Sequence, residues 1–266
     1  METSQLSTLL LAAELRPGDV VGFTFFTGYM AMFAASVFFF FERSQVEGHW
    51  KTSLLISGLI TMIASVHYFY MRDQYLTTSQ SPTEFRYIDW VLTVPLMCIE
   101  FYLIIKPYGG KIATMWKLII YAVIMLVFGY VGESLDRPNS AIWGALSTLG
   151  YVGILYEIYL GDVKKIADAS NDRSTLKAVS LLRWFVLVGW AIYPIGYMMI
   201  PGGLLSGLNF NIDLIYNLGD AINKIGFGLV VYSAAIGNSQ ALQEAPYQAA
   251  TDRDQKKYKG DAVGVR

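Results

Sequence analysis

The stretch that decides the fold is RYIDWVLTVPLMCIEFYLI, residues 86–104. It is apolar and long enough to cross a bilayer, since a membrane helix needs about 20 such residues. It nevertheless begins at Arg86 and contains Asp89 and Glu100. A charge at the bilayer centre costs roughly 2.5–3.5 kcal/mol on insertion scales, so such residues usually face the protein interior and carry function. The stretch therefore predicts a membrane helix with a functional polar face.

The composition of the whole chain agrees with this reading. Of the 266 residues, 54% are hydrophobic and only 15% are charged, well below the roughly 25% typical of soluble proteins. The single cysteine, Cys98, lies in an apolar run, so neither a disulfide framework nor a cysteine metal site is expected, and we predict no metal. The basic residues form no stripe that would suit a nucleic acid. The sequence favours a protein whose main partner is membrane lipid.

Seven apolar stretches are long enough to span a bilayer. They cover residues 20–41, 52–71, 86–105, 112–131, 141–160, 179–200 and 212–236. The connectors between them are polar or rich in turn-forming residues. We therefore predict an all-α membrane protein, a bundle of seven transmembrane helices within residues 1–240, followed by a polar cytoplasmic tail over 241–266. The first twenty residues lack a basic start and are interpreted as an ordinary leader rather than a cleaved signal peptide.

Lys and Arg are unevenly shared between alternate connectors, and such residues concentrate on the cytoplasmic side. One set of connectors contains Arg43, Lys51, Lys106, Lys111, Lys164, Lys165, Arg173 and Lys177. The other set offers only Arg72, Arg137 and, before the first span, Arg16. This distribution predicts an outside N-terminus and a cytoplasmic C-terminus, in a multi-pass protein of the plasma membrane.

The polar residues of the third span share one face. Eleven residues separate Asp89 from Glu100, which is about 1100° of rotation, within roughly 20° of three full turns, and a rise of roughly 16 Å. Arg86, Asp89, Thr93 and Glu100 therefore line one side at graded depths, with Asp89 toward the outside and Glu100 toward the cytoplasm. The alternative is that both acids only pair with neighbouring helices. Two acids and an arginine on one face favour an ion path.

The seventh span, LIYNLGDAINKIGFGLVVYSAA (214–235), contains a lysine close to its middle. Asp220 and Lys224 are four residues apart and share a face. A buried lysine is either paired or strongly perturbed, and lysine also forms Schiff bases with carbonyl compounds. These residues alone leave open whether Lys224 is a covalent attachment site or half of a structural ion pair.

An aromatic stripe in the sixth span, RWFVLVGWAIYPIGYMMIPGG (183–203), follows helical spacing through Trp190, Tyr193 and Tyr197, and Pro194 is expected to kink the helix. Such stripes usually mark core packing. Together with Trp90 and the central lysine, this stripe would also line an apolar slot for a flat, conjugated ligand.

Two further titratable residues lie near the outer ends of spans. His67, in the second span, would more often be a satisfied polar contact, although beside Asp89 it would tune that acid. Glu133, at the end of the fourth span, is interpreted as a solvated loop acid, with a place on a proton release path as the alternative.

Three stretches together, RYIDWVLTVPL, GWAIYPIGY and LIYNLGDAINKIGFGL, resemble the microbial rhodopsins, and specifically the proteorhodopsin group of bacterial light-driven proton pumps. The resemblance extends over all seven spans. It implies a light-driven outward proton pump, an ion transporter and photoreceptor protein rather than an enzyme.

The resemblance also implies a role for each intramembrane polar residue. Lys224 would carry all-trans retinal as a protonated Schiff base, with Asp89 as primary counterion and proton acceptor and Asp220 as second counterion. His67 would pair with Asp89, Arg86 would stabilise the two anions from the outer side, and Glu100 would be the cytoplasmic proton donor. Asp89, Thr93 and Glu100 resemble the triplet of outward proton pumps in this family.

The retinal pocket implied by the resemblance is largely aromatic and apolar. Its members would be Trp90, Met97, Met125, Gly129, Ser147, Trp190, Tyr193, Pro194 and Tyr197. The apolar Met97 lies where the group tunes its colour and suggests green absorption. Gly144 lies where many proteorhodopsins have a bulky aromatic, and in xanthorhodopsin-like relatives a glycine there opens a window for a carotenoid antenna. Glycine is also common in membrane helices for close packing.

Two other functions stay open at this point. A photosensory rhodopsin would signal through a partner protein, although the carboxylic donor Glu100 argues against it. A seven-span receptor or carrier without retinal would lack a visible absorption band. A ring-shaped homo-oligomer would suit the family.

Overall fold

A computed structural model describes residues 18–208 and 210–263, with side chains described as far as residue 244. Its α-helices are α1 (Val20–Glu42), α2 (Trp50–Thr78), α3 (Thr83–Ile105), α4 (Ile112–Tyr130), α5 (Ser140–Tyr159), α6 (Asp162–Ala169), α7 (Arg173–Trp184), α8 (Ile192–Met198) and α9 (Ile212–Val263). Within the described ranges, seven helical segments are long and apolar enough to cross a membrane. The predicted seven-helix fold is confirmed. The predicted leader lies outside the described residues except for its last three, 18–20.

Helix ends differ from the predicted spans because hydropathy measures the apolar run and not the helix. α2 begins two residues before the predicted span and runs seven residues past it, to Thr78, and is followed by Ser79, whose φ of 55° is left-handed. α9 continues to Val263, well beyond residue 236. The part of the polar tail from 241 to 263 is therefore helical, and the cytoplasmic location of the tail stays a prediction.

The sixth span is interrupted rather than being one helix over 179–200. Pro194 has no N–H, and its ring would clash with the carbonyl four residues earlier, that of Trp190. The chain widens into a π-helical turn over Phe185–Gly189, closed by the Trp190 N–H bonding to the Phe185 carbonyl at 3.0 Å, before α8 begins. The predicted kink is confirmed, and it takes the form of a break just before the aromatic stripe.

Side chains from neighbouring helices satisfy the carbonyl groups that this break frees. The Tyr151 hydroxyl donates to the Val186 carbonyl at 2.7 Å. The Asn223 amide donates to the Gly189 carbonyl at 2.9 Å. Such compensation is required in a membrane, where no water is available to the backbone. The break is therefore a fixed feature of the fold.

The bundle is apolar outside and polar in places inside. On α4, an exposed stripe of Trp116, Ile120, Val123 and Val127 recurs every three or four residues, as expected of a face in contact with lipid. The charged residues near the middle of α3 and α9 are buried instead, with Asp89 and Asp220 0% exposed. This arrangement matches the expected lipid environment and places the charges inside the bundle.

The two ends of the bundle differ in charge. We call the end formed by the connectors around residues 43–49, 106–111 and 160–172 the basic end, because most Lys and Arg of the connectors lie there. The sequence predicts that this end faces the cytoplasm. We call the other end of the bundle the opposite end. It is formed by the connectors around residues 79–82, 136–139 and 199–211.

Candidate functional site: a buried lysine between two carboxylates

The centre of the site is a three-residue charge cluster between α3 and α9. Nζ of Lys224 lies 2.8 Å from Oδ2 of Asp89 and 3.1 Å from Oδ2 of Asp220. The lysine is 3% exposed. The sequence correctly predicted that Asp220 and Lys224 share a face, and the structure brings Asp89 to them from the other helix. One buried cation thus faces two buried anions.

The two carboxylates have unequal surroundings. Asp220 accepts hydrogen bonds from the hydroxyls of Tyr193 (2.5 Å) and Tyr68 (2.7 Å) and from Nε1 of Trp90, which lies 3.2 Å from both oxygens. Among the described residues, Asp89 accepts a hydrogen bond from Lys224, and its Oδ1 makes none. The lone pairs of Asp220 are engaged by neutral donors, whereas Asp89 keeps an oxygen free to receive a proton.

His67 lies beside the free oxygen of Asp89. Its Nδ1 is 3.5 Å from Asp89 Oδ1 and 3.0 Å from the Ile63 carbonyl one turn earlier. The structure thus brings these two side chains together, as the sequence predicts. Thr93 is buried on the same face, but its hydroxyl donates to the backbone carbonyl of Asp89 at 2.9 Å and not to the carboxylate.

Arg86 acts on the cluster indirectly. Its Nη2 forms an ion pair with Asp213 at 2.9 Å, and the guanidinium also lies 3.3 Å from Oδ1 of Asn217 and 3.4 Å from the hydroxyl of Tyr68. Tyr68 in turn donates to Asp220. Arg86 is therefore connected to Asp220 by hydrogen bonds through Tyr68, and it lies between the charge cluster and the opposite end of the bundle.

Sequence reasoning missed Asp213, Asn217 and Tyr68. A signal for the first two was present, since 213, 217, 220 and 224 are separated by four, three and four residues, which places them on one helical face. Tyr68 had no such signal, because it occurs in an aromatic run on another helix.

Glu133 is not a solvated loop acid, so that interpretation is wrong. It lies in a π-helical segment, Val131–Leu135, that extends α4, and it is 6% exposed. Its Oε2 accepts a hydrogen bond from the Tyr87 hydroxyl at 2.8 Å. The widened turn keeps the carboxylate inside the bundle instead of releasing it into the connector.

Glu100 lies eleven residues along α3 from Asp89, toward the basic end. It is 0% exposed, and its Oε1 accepts a hydrogen bond from the Ser57 hydroxyl of α2 at 3.1 Å. Its Oε2 makes no hydrogen bond to any residue that the structure describes. Glu100 is therefore the second buried carboxyl group that α3 supplies to the site, and it lies on the other side of Lys224 from Arg86.

An apolar cavity of about 600 Å³ adjoins the charge cluster. Most of the predicted pocket residues line it: Trp90, Met125, Gly129, Ser147, Trp190, Tyr193, Pro194 and Tyr197, together with Gly144. Met97 is buried in the core but does not line the cavity, and neither does Lys224. Trp90 connects the two features, because it lines the cavity and bonds to Asp220.

The residues present fit a flat conjugated ligand attached at the lysine. The cavity volume lies within the roughly 300–1,000 Å³ of small-molecule sites. Trp90 and Tyr193 meet edge to face, with ring centroids 4.9 Å apart. At Gly129, a Cβ would lie 3.1 Å from the Tyr87 hydroxyl, and at Gly144 it would lie 2.8 Å from the Tyr197 ring. Larger side chains at either position would narrow the slot, so both glycines preserve its width.

Seven membrane helices around a lysine held by two carboxylates, beside an aromatic slot, define a retinal-protein architecture. The chain belongs to the bacteriorhodopsin-like family, since the family model described as Bacteriorhodopsin-like protein matches residues 19–238. The chain is 42% identical over 233 residues to the green-light absorbing proteorhodopsin of gamma-proteobacterium EBAC31A08, covering 85% of this chain and 90% of that protein.

The chain is also similar to solved structures of microbial rhodopsins. The blue light-absorbing proteorhodopsin from Med12 is 41% identical, with a TM-score of 0.71, covering 83% of this chain and 100% of that one. Xanthorhodopsin, described as a light-driven ion pump with dual chromophore, is 27% identical, with a TM-score of 0.75, covering 86% of this chain and 98% of that one.

Proposed function

We propose that this protein is a light-driven outward proton pump of the plasma membrane, with retinal attached to Lys224. The observation that carries this proposal is that α3 supplies two carboxyl groups, one on each side of Lys224. Asp89 lies 2.8 Å from Nζ, and Glu100 lies eleven residues further toward the basic end. With Asp89 as proton acceptor and Glu100 as proton donor, protons would cross the bundle from the basic end to the opposite end.

Retinal, when bound, supplies absorption of light and a change of shape at the lysine nitrogen. The side chains of this protein then determine where the proton goes. Asp89 is the acceptor because its Oδ1 is free, whereas protonation of Asp220 would break hydrogen bonds from Tyr68, Tyr193 or Trp90. Asp220 therefore stays in place as a fixed anion opposite the positive nitrogen.

Groups around Arg86 carry the outer half of the path. The guanidinium, Asn217 and Tyr68 form a hydrogen-bonded layer beyond Asp220, and the Asp213 carboxylate anchors it. A proton on Asp89 weakens the attraction between Asp89 and the surrounding cations. Reorientation of Arg86 within this layer would then favour release toward the opposite end.

Glu100 returns a proton from the basic end. It is fully buried and hydrogen-bonded by a neutral serine, and it has no cation partner within the described residues. A carboxyl group in such surroundings is stable in its protonated, uncharged form. Each proton moved outward works against about 2.3 kcal/mol per 100 mV of membrane potential.

The direct test is the light-induced pH change of a suspension of cells that express the protein with added retinal. Acidification that a protonophore abolishes is the expected result. Alkalinisation that a protonophore enhances would indicate export of another ion and contradict the proposal. A coloured protein without any pH change would instead favour the photosensory alternative, in which a partner protein reads the photocycle.

A second chromophore at Gly144 is a finer proposal. It is supported by the position of Gly144 in the cavity wall, by Leu204 in the same wall, which is 84% exposed, and by the similarity to xanthorhodopsin. We propose that a carotenoid lies against this opening and passes excitation to retinal. Carotenoid added to wild-type protein should sensitise retinal fluorescence, and Gly144→Phe should abolish the effect while retinal colour is kept. Equal sensitisation in both proteins would place any carotenoid elsewhere.

The assembly of the protein also stays a proposal. Exposed apolar faces, such as that of α4, suit lipid or a second copy equally well. We propose a ring-shaped homo-oligomer, and a mass measurement in lipid nanodiscs would show several copies per particle. A uniform monomer would contradict it.

A further inference from the structure

Several buried polar atoms without partners lie between the basic end and Glu100. Within the described part of the chain, Nε2 of His49, Nε1 of Trp50, Oγ of Ser53, Oγ1 of Thr175 and Oε2 of Glu100 make no hydrogen bond. All of these residues except His49 are at most 1% exposed. Buried polar atoms in folded proteins are nearly always bonded to protein or to ordered water. Their concentration in one region points to bound water.

Two of these groups, on Trp50 and Ser53, share one face of α2 with Ser57. Trp50, Ser53 and Ser57 are separated by three and four residues, so they lie above one another. Ser57 bonds to Glu100 at 3.1 Å. Ser53, one turn nearer the basic end, lies within interaction distance of the same carboxyl group, but among the described residues its hydroxyl makes no hydrogen bond of regular geometry. The His49 ring packs on Trp50 with centroids 4.7 Å apart. Polar side chains therefore follow one another along α2 from the basic end to Glu100.

His49 stands at the entrance of this column and is partly exposed. Burial lowers the pKa of His49, and the charge of nearby Asp172 on the α6–α7 connector acts in the opposite direction. Tyr108, from the connector after α3, lies beside Asp172 and Thr175. On its own connector, Glu47 pairs with Lys51 at an exposed position, 3.9 Å apart. An imidazole that is neutral near pH 7 can take up a proton at one nitrogen and release one from the other.

We propose that these side chains line a water-containing uptake route that reprotonates Glu100, with His49 as its entrance. The proposal rests on the proposed pump function. The hydroxyls of Ser53 and Thr175 both donate and accept, so they can pass a proton along a chain of waters. The Trp50 indole only donates, and it orients a water without carrying a proton. One proton enters at His49 and one reaches the Glu100 carboxylate, and nothing is oxidised or reduced.

The experiment compares wild type with Ser53→Ala and His49→Ala in the full-length, retinal-loaded protein. Flash-induced proton uptake is followed with a pH-sensitive dye. Both substitutions should slow uptake by about tenfold, less than the loss of an essential general acid because water also delivers protons. Added imidazole should restore the rate of His49→Ala and leave that of Ser53→Ala unchanged, an effect that a merely structural role would not produce. Ser65→Ala, which changes a buried serine in the middle of α2, is the matched control and should keep the wild-type rate.

A second measurement reports the water directly. Infrared difference spectra should show a water O–H band that shifts in H2 18O in wild type and is lost in Ser53→Ala. Wild-type uptake rates in both variants, or an unchanged water band in Ser53→Ala, would overturn the route. Because these outcomes are read in a protein whose light-driven acidification has first been established, failure of the route is distinguishable from failure of the pump.

Discussion

Arg86 forms its ion pair with Asp213, at 2.9 Å, and not with Asp89 or Asp220. The guanidinium is 1% exposed and the Asp213 side chain 10% exposed. Ser81, from the connector before α3, also donates to Oδ1 of Asp213 at 2.7 Å. The carboxylate therefore ties the α2–α3 connector and the arginine to α9. We infer that Asp213 fixes the resting position of Arg86.

Asp213→Asn should destabilise the protein, because it removes the anion and leaves a buried guanidinium with weaker partners. Breaking a buried pair from one side costs about 3–5 kcal/mol, and the asparagine retains part of the hydrogen bonding. The measurement is thermal loss of the visible band. Glu47→Gln, which removes the exposed Glu47–Lys51 pair, is the control and should change little. Equal midpoints for Asp213→Asn and wild type would refute the anchoring role.

Asp89→Asn should shift absorption to longer wavelength and stop transport. The lysine nitrogen would lose its anion at 2.8 Å, so that positive charge would be less strongly held at that end of the chromophore. Tyr68→Phe is the matched comparison, because it removes one of several donors to Asp220 and keeps both carboxylates. It should give a smaller shift and slow pumping without stopping it, because Tyr68 also belongs to the hydrogen-bonded layer around Arg86. Transport by Asp89→Asn would contradict the acceptor assignment.

The fold and the charge cluster could both be predicted from the sequence. Helical spacing shows which residues share a face, and the free-energy cost of placing a charge in a membrane marks the charged residues that must have a function. A charged residue in an apolar span is expensive, so Asp89, Glu100 and Lys224 stand out by position alone. Helical spacing then gives the shared faces. The packing of α3 against α9, which brings Asp89 to Lys224, was supplied by the family resemblance and not by spacing.

Two features of the structure could not be predicted from the spacing or hydropathy of neighbouring residues. The π-helical turn before Trp190 depends on Tyr151 and Asn223 reaching freed carbonyls from two other helices. Glu133 was misjudged because hydropathy placed it at the end of a span, whereas a widened turn and the Tyr87 hydroxyl keep it buried. Both outcomes follow from contacts between distant parts of the chain.

Asp172→Asn should flatten the dependence of stability on pH in acid. Partial burial raises the pKa of Asp172, but hydrogen bonds from the backbone N–H groups of Thr175 and Ser174 outweigh it and lower that pKa below its ordinary value. A carboxylate with a lowered pKa adds stability above about pH 4, the usual aspartate value, and loses it as the pH falls through the folded-state pKa.

Asparagine caps a helix nearly as well as aspartate, so the variant should match wild type at neutral pH and lose less stability on acidification. Thermal melts of helical circular dichroism between neutral pH and about pH 3 measure this. A parallel acid loss in both proteins would show that Asp172 does not contribute.

Glu100→Gln should keep the colour and slow the late, proton-uptake phase of the photocycle at neutral pH. Glutamine can still accept the hydrogen bond from Ser57, at 3.1 Å in wild type, so packing is preserved while the transferable proton is lost. A general acid typically contributes about 10²–10⁴ in rate, and the slowing should fall within this range. Time-resolved absorption after a laser flash measures it, and small diffusible acids such as azide should partly restore the rate.

Glu157→Gln is the control for this change. Glu157 is also a buried glutamate near the basic end, 3% exposed, but it pairs with Lys117 at 3.1 Å and lies on α5, away from the α2–α3 face. Its loss should lower stability and leave the late phase unaltered. If Glu157→Gln slowed uptake as much as Glu100→Gln, the effect would be one of general packing, and Glu100 would lose its assignment as donor.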